Sequence, residues 1–324
     1  MEYTTLGQTG LEVSKICLGC MSFGSSESRD WILESEKSKE IINLALDLGI
    51  NFFDTANVYS HGESERIVGE ALDGHENETV LATKVYGQMD EDNPFSGGLS
   101  RKTIEQELSA SLDRLNRETI DLYQIHRWDN NTPIETTLRT LTDEIRRGRI
   151  RYIGASSMWA HQFAEALYTS EKRNLASFVT MQNHYNLMYR EEEREMLPLC
   201  QKKNIAVIPW SPLARGYLAR PIDEIGDTTR GEEERDADRH PYLENGGREI
   251  NERVQEIAEN RELSMAQVSL AWLLHKDWVD APIVGTTSKQ HLRDAVEAVS
   301  ISLSDSDIEY LEEPYKPVPI SGHQ

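Results

Sequence analysis

The feature that most constrains this chain is an alternation. Short apolar, β-branched runs give way to longer stretches whose apolar residues recur every three or four positions. The first pattern is that of a buried strand, the second that of an amphipathic helix. Eight such runs can be counted, ending near Gly19, Asp54, Lys84, His126, Ser156, Asn183, Trp210 and Gly285. Markers at 54, 84, 126, 156, 182 and 210 are separated by 30, 42, 30, 26 and 28 residues, room for one strand, one helix and two loops each. Between them Ile104, Leu108, Leu112 and Leu115 share one helical face, and Ile134, Leu138, Leu141 and Ile145 share another. Pro133 sits where a first helical turn tolerates proline, and Gly148 where a helix would stop. Eight βα units predict an α/β fold, a closed (β/α)8 TIM barrel, as one domain over residues 1–324. A short N-terminal β-hairpin and long loops at the carboxyl face of the strands complete that expectation. An open, doubly wound sheet would show the same alternation. The segment after the first strand, Gly19-Cys-Met-Ser-Phe-Gly24, lacks the G-x-G-x-x-G phosphate fingerprint of that layout.

Composition narrows the function classes. Hydrophobic residues are 38% of the 324, enough for a large continuous core. No apolar run approaches the ~20 residues of a membrane helix. Met1-Glu2-Tyr3-Thr4-Thr5 shows no basic segment followed by an apolar one, so the expected location is cytoplasmic. Three cysteines, Cys17, Cys20 and Cys200, are too few for a disulfide framework. The C-x-x-C spacing of Cys17 and Cys20 lacks a second ligand pair, so no metal site is expected. The net charge is −22, from 56 acidic against 34 basic residues, and argues against nucleic acid and anionic membranes as partners. The acidic excess is spread along the chain and Arg outnumbers Lys, which predicts a halophilic protein of a salt-rich cytoplasm. Residues 222–240 carry eight acidic and three basic side chains and read as a long loop after the seventh strand, with a C-terminal tail over 312–324.

In such a barrel the informative residues are polar ones that interrupt an apolar run at a strand's carboxyl end. Asn51-Phe-Phe-Asp54-Thr-Ala-Asn-Val-Tyr59 puts a carboxylate there and a phenol five residues later. Val80-Leu-Ala-Thr-Lys84 ends in a lysine and Asp121-Leu-Tyr-Gln-Ile-His126 in a histidine. Each alone reads equally as a cap or a structural hydrogen bond. Four on neighbouring strands converge on one face of the barrel.

The order Asp54, Tyr59, Lys84, His126, with Phe53-Asp-Thr-Ala-Asn-Val-Tyr59, Gly154-Ala-Ser-Ser157, Gln182-Asn183 and Pro209-Trp-Ser-Pro212, resembles the aldo-keto reductase superfamily over nearly the whole chain. Within it, Gln182–Cys200 and Pro209–Gly216 are similar to the aryl-alcohol-dehydrogenase-like and channel-β-subunit-like branches. The resemblance implies reduction of an aldehyde or ketone by hydride transfer. A cofactor-bound sensor like the channel subunits is the alternative. Tyr59 would be the proton donor to the nascent alkoxide, and Lys84 beside it would lower the phenol's pKa. Asp54 would hold Lys84, and His126 would orient and polarise the carbonyl oxygen. Ser156, Ser157, Gln182 and Asn183 would hold the nicotinamide carboxamide, and Trp210 would stack on the ring. Ser211, Pro212, Leu213, Arg215 and Gly216 would follow the pyrophosphate. Gly285, Thr287, Lys289, His291 and Asp294 would line the adenosine end, where His291 stands at a position often held by Arg, and Ala295 at one often held by Asn. With Arg293 and Lys289 as nearby cations, NADP(H) is expected in preference to NAD(H). The expected partner is a small-molecule carbonyl substrate, chosen by the loops Met21–Trp31 and Gly87–Leu99, the tail Tyr315–Gln324, and an aromatic pocket of Trp31, Tyr86, Trp128 and Trp159. Association into a homo-oligomer stays open.

Overall fold

A computed structural model describes residues 1–25, 29–227 and 242–323. Strands β1 (Tyr3–Thr5) and β2 (Glu12–Ser14) form an antiparallel hairpin. Eight parallel strands follow: β3 (Cys17–Gly19), β4 (Phe52–Asp54), β5 (Val80–Val85), β6 (Ile120–Ile125), β7 (Ile150–Ser156), β8 (Phe178–Gln182), β9 (Ala206–Val207) and β10 (Ile283–Gly285). They are neighbours in chain order from β3 to β9, and β10 returns to lie beside β3. The Ile283 amide donates to Pro209 O at 2.9 Å just past β9, so the sheet closes on itself. The helices are α1 (Ser35–Asp47), α2 (Glu63–Ala71), α3 (Arg101–Leu115), α4 (Ile134–Arg146), α5 (Ala160–Arg173), α6 (Met196–Lys203), α7 (Gly247–Arg261), α8 (Met265–Leu274), α9 (Lys289–Glu297) and α10 (Asp305–Glu312). This is the (β/α)8 barrel, hairpin included, that the alternation predicts. Residues 222–227 form a 3-10 turn, and 228–240 of the acidic loop lie outside the described residues.

Strand periodicity sorts the side chains into two cores. Successive strand residues point to opposite faces. Thus Phe53, Leu81, Tyr123, Ile153 and Met181 face outward into the layer beneath the helices. There Ile104, Leu108, Leu112 and Leu115 meet them, each at least nine-tenths buried. The opposite parity, Phe52, Val80, Ala82, Leu122, Ala206 and Ile208, fills the barrel interior, and Leu6 and Val13 of the hairpin plug its amino end.

The same inward parity, continued one step toward the carboxyl ends, reaches Asp54, Lys84, Gln124, Ser156 and Gln182, all buried. The strand ladder pairs Lys84 with Gln124 and Ser156 with Gln182. The upper interior layer is therefore polar by strand register alone. A Cβ on Gly154 would meet Thr180 Oγ1 at 2.2 Å and Gln124 Cγ at 2.9 Å. Glycine there makes room for the Gln124 amide, and any larger residue would displace it.

The seventh strand is shorter than expected. Its paired register with β8 stops at Val207, although the Ile208 amide still donates to Met181 O at 3.0 Å; the N–H that Pro209 lacks would face β10, to which its carbonyl is bonded. Trp210 is held instead by its amide bond to Asn183 O, 2.8 Å, beside an isolated bridge to His184.

Candidate active site

The upper polar layer is tied together around one carboxylate. The Lys84 ammonium, fully buried, donates to Asp54 Oδ1 at 2.5 Å, to Thr55 O at 2.7 Å and to the Tyr59 hydroxyl at 3.1 Å, so all its donors are used. The other oxygen of Asp54 accepts from Gln124 Nε2 at 2.8 Å and from Gln182 Nε2 at 2.9 Å. A buried charge pair holds its geometry only when every remaining donor and acceptor is also satisfied. Here the two glutamines provide that completion.

Tyr59 reaches this layer from the loop after β4, and the loop is pinned at several points. Thr55 N donates to Ala82 O at 2.9 Å, Asn57 N to Lys84 O at 3.3 Å, and Asn57 Nδ2 to the buried Glu107 at 3.1 Å. Ser60 and His61, just beyond, have left-handed backbone at φ 47° and 51°. The His126 ring stands edge-on to that of Tyr59, centroids 5.9 Å apart. The structure thus brings Asp54, Tyr59, Lys84 and His126 together.

Electrostatics assign protonation states to this group. Burial alone would lower the Lys84 pKa, but Asp54 and Tyr59 outweigh it and hold the ammonium above its ordinary value. Burial, with the Lys84 and Arg127 charges, pushes His126 well below the usual imidazole range, so it is neutral. The expected depression of Tyr59 is not found. Burial raises its phenol more than Lys84 draws it down, and Asp54 adds to the rise. The ammonium's field is largely spent on the carboxylate it touches. Tyr59 is therefore a neutral phenol that accepts from Lys84 and keeps its own O–H to give.

Sequence reasoning missed three contributors. Gln124 and Asn57 are ordinary words in a strand and a loop, and only the inward parity of Gln124 would have singled it out. Arg127 follows His126, and its Nη1 donates to His126 O at 2.6 Å. Burial lowers its pKa, and its charge bears on Tyr59, His126 and Tyr86.

The opposite wall, at β7 to β10, is organised differently. Ser156 Oγ donates to Gln182 O at 2.9 Å, and Trp210 Nε1 donates to Ser157 Oγ at 3.0 Å. The Gln182 amide nitrogen is committed to Asp54, and that of Asn183 to the buried Glu192 at 2.6 Å. Asn183 Oδ1 is buried with no hydrogen-bond partner, an acceptor suited to a carboxamide N–H. Trp210 carries His184 on one face, centroids 4.3 Å apart and 12° from parallel. Ser157, Ser211, Ala214 and Arg215 all have left-handed φ, from 45° to 56°. With Ser60 and His61 these are non-Asn residues in a costly conformation gathered at the carboxyl rim, a pattern typical of ligand sites. Pro212 and Leu213 lie within the strained turn, which Gly216 closes by donating its N–H to Leu213 O at 2.8 Å.

At the far end, Gly285, Thr287, Lys289, His291 and Arg293 are exposed, while Ala295 is buried. Lys289 is paired with Glu40 of α1 at 2.7 Å, and Asp294 accepts from Gln290 on its own helix at 2.8 Å. Of the aromatic residues expected around the substrate, Trp128 belongs to the outer core cluster and Tyr86 packs against that cluster. Trp159 meets the tail residue His323 edge-on at 4.9 Å. Residues 26–28 of the first substrate loop and Gln324 lie outside the described residues. Cys17, Cys20 and Cys200 are free buried thiols, all pushed up by burial. Among the described residues no group of His, Cys, Asp or Glu could hold a metal ion, and no helix is long and apolar enough to cross a membrane.

Comparisons with known proteins place the chain in a family. A family model described as the aldo/keto reductase family matches residues 15–316. An aldo-keto reductase of Metarhizium robertsii is 43% identical, covering 100% of this chain and 93% of its own length. The versiconal hemiacetal acetate reductase of Aspergillus parasiticus is 41% identical over 98% of both chains. A Schizosaccharomyces pombe protein that carries an aryl-alcohol dehydrogenase name is 44% identical over 99% of this chain and 97% of its own.

Proposed function

The chain belongs to the aldo/keto reductase family, and from that premise we propose that it reduces an aldehyde or ketone to an alcohol, using NAD(P)H and Tyr59 as general acid. The observation that carries this reading is the buried Lys84 held between Asp54 and the Tyr59 hydroxyl. Bound NAD(P)H would supply the hydride. Ser156, Ser157 and the unpartnered Asn183 Oδ1 would hold its carboxamide, and the face of Trp210 away from His184 would meet its ring. Ser211 to Gly216 would follow the pyrophosphate, with Arg215 supplying charge. Lys289 and Arg293, beside His291, favour NADP(H), because they offer cations where a 2′-phosphate would lie.

The chain's own residues supply the rest. A carbonyl oxygen placed between Tyr59 and His126 accepts from both. As negative charge grows on that oxygen, the Tyr59 proton moves to it, and Lys84 stabilises the charge left on the phenol. Asp54 keeps Lys84 charged and aimed, and Gln124 and Gln182 keep Asp54 in place. The neutral His126 orients the oxygen and adds no second full charge near Lys84.

Tyr59→Phe tests the reading, since it removes the hydroxyl and keeps the ring. Carbonyl-dependent oxidation of NADPH should fall by about 10²–10⁴ in kcat while the cofactor Kd stays within a few-fold. Turnover like the parent's would end the assignment of Tyr59. With its phenol raised, the unmutated protein should hold its reductive rate from neutral pH through the ordinary phenol range, about pH 10, and lose it only above that, as the acid deprotonates.

A further inference from the structure

Among the described residues the charges of the catalytic pocket do not balance. The Lys84 cation is matched by Asp54, and His126 is neutral. Arg127 remains. Its guanidinium is half-buried at the end of β6, tethered by one bond to the His126 carbonyl, with no carboxylate within ion-pairing distance among the described residues. The nearest acid along the chain, Asp129, is turned away. Its oxygens accept from Leu99 N at 2.8 Å, Asn131 N at 2.8 Å and Thr132 Oγ1 at 2.8 Å. Elsewhere Arg114, Arg149 and Arg190, each comparably or better buried, have carboxylates at 2.6–3.1 Å. A partly desolvated charge left without a counter-charge is costly to a fold, and an anion that arrives with the ligand removes that cost.

We propose that Arg127 is the receptor for a carboxylate on the substrate, so that the physiological carbonyl compound is an aldehyde or ketone bearing a carboxylate group. This rests on the reductase reading above. The guanidinium beside His126 gives one N–H to the His126 carbonyl and keeps further donors, and a planar guanidinium can bind a carboxylate two bonds at a time. Among the described residues the pocket carries one positive charge without a carboxylate beside it, which suits a monoanion. The cofactor's phosphates are not competitors, because their expected anchors, Ser211–Gly216 and Lys289–Arg293, follow β9 and β10, while Arg127 follows β6. Its field also reaches Tyr59, so a role in tuning the acid is the rival account, and the two predict different kinetics.

The test compares 4-carboxybenzaldehyde with 4-nitrobenzaldehyde, of similar shape and without the charge, at saturating NADPH. The unmutated protein should show the higher kcat/KM on the carboxylate. Arg127→Gln should lower kcat/KM for the carboxylate about 10- to 100-fold, mainly through KM, and at least tenfold more than for the nitro compound. Arg127→Lys should recover part of the difference. An equal loss on both aldehydes through kcat, with a shifted pH profile, would overturn the proposal in favour of tuning of Tyr59. So would no change on either. A measurement without variants guards against misfolding. Benzoate should inhibit reduction of 4-nitrobenzaldehyde competitively, at least tenfold more tightly than benzamide, and equal inhibition also overturns the proposal. If the protein reduces neither these nor any other aldehyde, the reductase reading fails instead.

Discussion

The two walls of the carboxyl rim are built on opposite plans. On the β4–β6 side, Asp54, Lys84 and Gln124 are fully or almost fully buried, and each is bonded to another member of the layer. On the β7–β10 side the expected ligand contacts sit on strained turns or exposed helix ends, and several are bonded away from the site, as Lys289 is to Glu40. The first wall is preorganised for chemistry on a small group. If the second wall takes the cofactor as proposed, it must admit and release a large ligand, which suits contacts on backbone turns and exposed side chains. Interactions that are buried and mutually satisfied should act as a unit, and those at the exposed wall should act one by one.

The largest effect should come from breaking the unit. Lys84→Met leaves Asp54 as an unpaired buried carboxylate, a loss of about 3–5 kcal/mol in urea unfolding. It should also cost kcat on the order of 10³, because the phenol loses the cation that stabilises its charge. Asp54→Asn in the same background should restore much of the stability. If the two single losses simply add in the double variant, the first wall is not a unit and the comparison fails.

That wall was also the more legible in the sequence. A strand period of two forces Asp54 and Lys84 inward whatever the helices do, so runs such as Phe-Phe-Asp54 and Ala-Thr-Lys84 carry their own orientation. Gln124 obeys the same rule but is neutral and common, so nothing marked it. The eight-strand barrel was readable for the same reason, since each βα unit repeats one local pattern. The second wall was less readable because its positions depend on turn backbone. No local pattern announces the left-handed Ser157 or Ser211, or the short β9 that hands Trp210 to a bridge with His184. The Lys289–Glu40 pair joins residues far apart in the sequence, through the packing of α1 against α9, and was invisible to spacing. The Tyr59 pKa was misjudged because the depth of burial of a phenol cannot be read from its neighbours in the chain.

A smaller effect should appear at the exposed wall. NADPH should bind more tightly than NADH, and Lys289→Ala combined with Arg293→Ala should narrow that gap. A 2′-phosphate would have to draw Lys289 away from Glu40, so Glu40→Gln should widen the gap. An exposed pair is worth no more than about 1 kcal/mol, so the change should be at most about fivefold in the ratio of dissociation constants. Titration of the cofactors into each variant by quenching of tryptophan fluorescence would measure it. Equal affinity for the two cofactors in the unmutated protein would remove the preference for NADP(H). A Glu40→Gln effect as large as that of Lys84→Met would erase the contrast between the walls.

The smallest effect per residue should be that of salt, summed over the whole surface. A net charge of −22 repels itself, and repulsion opposes the compact state. At ~0.01 M ionic strength the screening length is about 30 Å, and at ~1 M it is about 3 Å, so molar KCl should quench most of that repulsion. The melting temperature should therefore rise between ~0.05 and ~3 M KCl, and an uncharged osmolyte of equal osmolality should not reproduce the full rise. The two walls should respond differently. Salt screens the exposed Lys289–Glu40 pair and the cofactor's phosphates, so the cofactor Kd should change across the titration. The Lys84–Asp54 pair is buried away from mobile ions, so kcat at saturating cofactor should change little while the fold persists. A melting temperature that is flat or falls with KCl would remove the halophilic reading and leave the chemistry of Tyr59 untouched. A kcat that tracks salt as closely as the cofactor Kd does would show instead that ions reach the Lys84 pair.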